Sequence, residues 1–174
     1  MSRIRQKVSS ISVDQRIEYA ELLRERIYST ITLLAVVVTL WQHANNYSAW
    51  AVVGAVIGTV GALWLATLIA SRMSYRIVHD GKELEMHYRK ASEAASGLLA
   101  PAVMPVALTL ISMTGLFTLE AALASSVILL VLSLFMFSLV SGRKIASSFL
   151  SLVVYSLLQL GLGLVVVALK LIVK

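Results

Sequence analysis

The sequence predicts an all-α, polytopic integral membrane protein with five transmembrane helices, and three observations lead there. The first is composition: 59% of the 174 residues are hydrophobic and only 14% charged, against about 45–50% and about 25% in soluble domains. The second is length. Four apolar runs almost free of charge, Ala49–Ser71, Gly97–Phe117, Ala121–Val140 and Ile145–Leu169, each reach the roughly 20 residues a helix needs to cross about 30 Å of hydrocarbon. The third is the placing of the basic residues. Residues 1–26 hold six Lys/Arg, loop 72–95 holds five and "SGRK" holds two, leaving Lys170 and Lys174 for the other side. Thirteen against two puts the N-terminus in the cytoplasm and the C-terminus outside, which an odd number of spans requires.

The arm 1–26 is charged rather than apolar, so the first span reads as a retained helix and not as a cleaved signal. Ser12 and Gln15 form a capping box ahead of a stretch without Pro or Gly. One continuous helix is therefore expected from about Val13 to about Gln42, its first turns projecting into the cytoplasm. The apolar part, Ile27–Gln42, can extend through the uncharged "HANNYS" to give a span of about 27–47. Tyr28, Trp41 and Tyr47 lie near its ends, where aromatic belts form.

Glu18, Glu25, Ser29, Thr32, Thr39 and His43 share one face of this helix, with Glu21 adjacent and Val36 interrupting. The face can be a hydrophilic track through the membrane. The plainer reading is that the hydroxyls bond back to their own helix or to a neighbour, and that the glutamates are solvated. No ionised residue stands between Arg26 and His43, and intramembrane sites usually rest on one.

The second span, about 49–71, carries Ala51, Gly54, Gly58 and Gly61 at heptad-like spacing, with a GxxxG step inside "GAVIG". Lipid tails are as apolar as leucine, so helices in a bilayer associate by close backbone approach, which small residues permit. The stripe predicts tight helix packing, within one subunit or across a dimer. The loop 72–95 follows, with a turn expected at Asp80–Gly81 and amphipathic helix on either side.

The third span, about 97–117, places Pro101, Pro105, Thr109 and Ser112 on one face. Two prolines a turn apart free carbonyls and kink a helix, a feature of transport sites as well as of ordinary membrane helices. The fourth and fifth spans, about 121–140 and 145–169, are expected to be antiparallel neighbours across "SGRK". Gln159 in the fifth invites an interhelical hydrogen bond.

Chemistry is narrowly bounded. The chain has no cysteine, which removes thiolate catalysis, disulfides and Cys-type metal sites. There is no nucleophile–base–acid set and no phosphate-cradling glycine loop, so an enzyme is not expected. The net charge of +6 follows from residues flanking the spans, and nucleic acid is not an expected partner. Glu83 and His87 form an i, i+4 pair that, with Glu21 and Glu25 on the arm, has the donor types for ferrous iron or zinc. Interspersed Arg16, Arg24, Arg26, Lys82, Arg89 and Lys90 can instead neutralise these acids as surface pairs. Tight metal binding at neutral pH and a bound cofactor are not expected.

The layout, together with "RERIYSTITLLAVVV" and "SGRKIASSFLSLVVYSLLQLGLGLVVV", resembles the vacuolar iron transporter family over essentially the whole chain. It also resembles a group of small bacterial membrane proteins. The family implies a homodimer with a pathway lined by the first two spans, exporting ferrous iron against protons. Two departures stand out. Ile31, Thr32 and Leu33 occupy the place of the family's asparagine–aspartate–glycine step, and the second span has no embedded glutamate, only the small stripe. A dehydrated divalent cation needs anionic ligands in the bilayer. Two function classes are thus expected to compete. One is a transporter-like protein of the cytoplasmic membrane passing a small ion or polar solute through a homodimer. The other is a non-transporting scaffold docking a cytoplasmic or membrane partner through arm 1–26 and loop 72–95.

Overall fold

The computed structural model describes residues 13–78, 97–145 and 149–172, though not the side chains of 13–21, 75–78, 138, 140–152 or 155. Among the described residues the chain is helical, with no strand. Five α-helices follow in order: α1 (Val13–Gln42), α2 (Ala49–Val78), α3 (Val103–Ser112), α4 (Leu119–Ile145) and α5 (Phe149–Ile172). Single 3-10 turns lie at Ala44–Asn46 and Ala100–Ala102.

The bounds of α1 are those the sequence predicts; the capping pair's Ser12 lies outside the described residues, as does the expected turn at Asp80–Gly81. "HANNYS" does not lengthen the first helix. It makes a corner, with Asn46 N–H donating to His43 O at 2.8 Å, and Ser48 then opens α2 by accepting the Ala51 N–H at 3.2 Å. Thr118 does the same for α4, accepting the Ala121 N–H at 3.2 Å. Each cap satisfies a backbone donor that the first helical turn cannot.

The other two departures have local causes. The third apolar run forms helix only over Ala100–Ser112, about 20 Å at helical rise. Its last turn tightens to three-residue bonds, with Gly115 N–H donating to Ser112 O at 3.1 Å. The chain then reverses at Gly115, whose φ of 83° suits glycine. The "SGRK" stretch is not a turn, because α4 continues through it to Ile145. A lone Gly142 costs a helix only about 1 kcal/mol, and Arg143 and Lys144 favour a helix C-terminus by their charge.

Packing centres on α1 and α4. Helix α1 lies against α2, α4 and α5; α4 also packs on α3 and α5, and α3 on α2. Four-residue repetition accounts for this. The pairs Ser29/Thr30, Leu33/Leu34 and Val37/Val38 are buried on α1, Val52, Val56 and Val60 on α2, and Leu123, Val127, Leu130 and Leu134 on α4. The leucines and valines form one cluster with Ala44 and Ala102. Leu68 and Leu98 make a smaller cluster against Trp64, tying the start of the third run to the far half of α2. At the opposite end the Gln42 side-chain amide donates to Lys170 O at 2.9 Å, so α1 and α5 finish side by side. That bond also satisfies one of the carbonyls α5 leaves open at its C-terminus.

Candidate functional site

Two helix faces carry the polar residues expected to line a path. On α1, Ser29 is fully buried, Thr32 and Thr39 are half-buried, and His43 at the helix end is exposed. On α3, Pro101, Pro105 and Thr109 are buried and Ser112 is half-buried. Every hydroxyl among them is donated to its own helix. Ser29 donates to Arg26 O at 3.1 Å, Thr32 to Tyr28 O at 3.0 Å and Thr39 to Ala35 O at 2.9 Å. Thr109 donates to Pro105 O at 2.7 Å and Ser112 to Thr109 O at 2.7 Å. Such bonds consume the donor and leave the oxygen lone pairs as acceptors, so these faces present weak acceptors without an ionised group.

The prolines do something other than kink a helix. Pro101 stands in the opening 3-10 turn, and Pro105 is the third residue of α3. A first turn has no partner for its N–H groups, so proline costs little there. Both therefore start the helix rather than bend it.

Three further buried hydroxyls escape a reading based on stripes. Thr30, Ser126 and Ser156 have no exposed surface. Thr30 donates to Arg26 O at 2.7 Å, the same carbonyl Ser29 uses, and Ser126 donates to Ala122 O at 2.7 Å. Thr30 sits one residue from the predicted face and is buried because α1 has neighbours on several sides. Gln159 is half-buried on α5.

The metal candidates are only partly placed. Glu25 is half-buried with one carboxylate oxygen enclosed. The side chain of Glu21 and the whole of Glu83 and His87 lie outside the described residues. Among the described residues no three His, Asp or Glu side chains gather.

The small-residue stripe of α2 lies on the side away from the core. Ala51, Gly54 and Gly58 are exposed and Gly61 half-exposed. A Cβ built on Gly54, Gly58 or Gly61 would meet nothing within 4 Å. These three glycines therefore pack against no described part of their own chain. The close approach inside the bundle belongs to Gly163 on α5, where an added Cβ would lie 3.1 Å from Leu134 Cδ1. Its signal in the sequence was the "GLG" step of the fifth run.

Apolar side chains cover the outside of the bundle. Trp50, Ile57, Leu65, Ile69 and Met73 are exposed on α2, Val103, Met104 and Ile111 on α3, Ile128, Leu132 and Met136 on α4, and Leu157, Leu158, Leu162 and Val165 on α5. Two helical stretches, Ala49–Ser74 and Leu119–Phe137, are long and apolar enough to cross a bilayer by length and composition. No protein-family model matches the chain, and neither a curated protein nor a solved structure is significantly similar to it.

Proposed function

We propose that the chain is a multi-pass protein of the cytoplasmic membrane, N-terminus inside and C-terminus outside, working as a homodimer of transporter-like kind for a small polar solute. One observation carries the membrane part. Ser29, Thr30, Thr109, Ser126 and Ser156 are fully buried, while Ile128, Leu158 and Val103 are 67%, 61% and 63% exposed. Exposed apolar side chains of this kind stand on α2, α3, α4 and α5; covering them is unfavourable for water and costs lipid nothing. Reporter fusions at Lys174 and within loop 72–95 test the topology. A periplasmic signal at Lys174 with a cytoplasmic one in the loop is expected, and a cytoplasmic Lys174 overturns the five-span reading.

The homodimer rests on the outward stripe of α2, whose glycines have space before them where a second backbone can approach. The solute reading rests on the acceptor-lined faces of α1 and α3. These suit an uncharged or weakly hydrated solute better than a metal ion, because α1 has no ionised side chain between Arg26 and His43. The resemblance to vacuolar iron transporters extends here to layout and not to iron chemistry. Osmotic shrinkage of proteoliposomes in small polyols tests it: flux above protein-free vesicles that falls in Thr32→Phe and Thr39→Phe variants is expected. Flux equal to empty vesicles overturns it.

The second reading is a non-transporting scaffold. It is favoured by the hydroxyls of both faces, each already spent on its own helix and so adequate as packing material alone. A stoichiometric protein co-eluting from native membranes, together with no solute flux, decides for it.

A further inference from the structure

We draw no further inference here: the strongest candidate, the outward-facing stripe Ala51, Gly54, Gly58 and Gly61 on α2, belongs to the dimer surface already proposed, and nothing in the structure shows what covers it.

Discussion

Gly163 on α5 and the three stripe glycines of α2 have the same side chain, sit in apolar helices, and play opposite parts. At Gly163 a single added carbon would press on Leu134 at 3.1 Å, while at Gly54, Gly58 and Gly61 it would meet open space. The first glycine is spent on holding α5 against α4 within the chain. The others gain nothing from the fold that contains them. Glycine costs a helix about 1 kcal/mol relative to alanine, a cost that no contact with a described residue offsets at these three positions.

Substitutions can break this contrast or sharpen it. The largest effect is expected for Gly163→Leu, which forces a branched side chain into the α4 contact and should lower stability by about 3 kcal/mol. Thermal unfolding in detergent measures it; an unchanged midpoint would mean that α5 can slide away from Leu134. Next comes the coupling between the two partners. Gly163→Ala and Leu134→Ala should be non-additive by about 1 kcal/mol, because the cavity left by Leu134 receives the new methyl group; a cycle that closes to zero would separate them.

Gly58→Leu is the counterpart on α2. It should leave monomer stability within about 0.5 kcal/mol and weaken the proposed dimer, read by cross-linking and by mass in detergent. An intact dimer in this variant would move the subunit contact elsewhere. The smallest effects are expected for Thr30→Val and Ser126→Ala. Their hydroxyls donate to carbonyls of their own helix, so removing them should cost under about 1 kcal/mol. A larger loss would mean that the oxygens serve a second partner.

How much was legible varies with how local the cause is. The bounds of helix α1 could be read because an uninterrupted stretch without Pro or Gly is a property of neighbouring residues, whereas the corner at "HANNYS", read as a possible extension of the span, was not. The shortness of α3 was hidden in an apolar run of adequate length, since hydropathy does not register that Met113–Gly115 close the helix. "SGRK" misled in the other direction: glycine and charge suggest a loop, yet they also suit the last turn of a helix. At the candidate site, the face carrying Ser29, Thr32 and Thr39 was visible from spacing, whereas Thr30 was not. Its burial depends on how many helices surround α1, which no local pattern states. The orientation of the α2 stripe was equally beyond reach, because a heptad says which residues align and not what stands in front of them.

The central place of α1 also sets an order in time. Its main partners begin only at Leu119 (α4) and Phe149 (α5), long after α1 ends at Gln42, and the Gln42–Lys170 bond joins positions 128 apart. Helix α1 is also the most charged of the five over its first half, and it is absent from the stretches able to cross a bilayer by their own hydropathy. Contacts so distant in sequence slow assembly and lengthen the interval in which an unfinished chain is vulnerable. A chain truncated before α4 would leave Leu33, Leu34, Val37 and Val38 without the α4 side chains that help to enclose them.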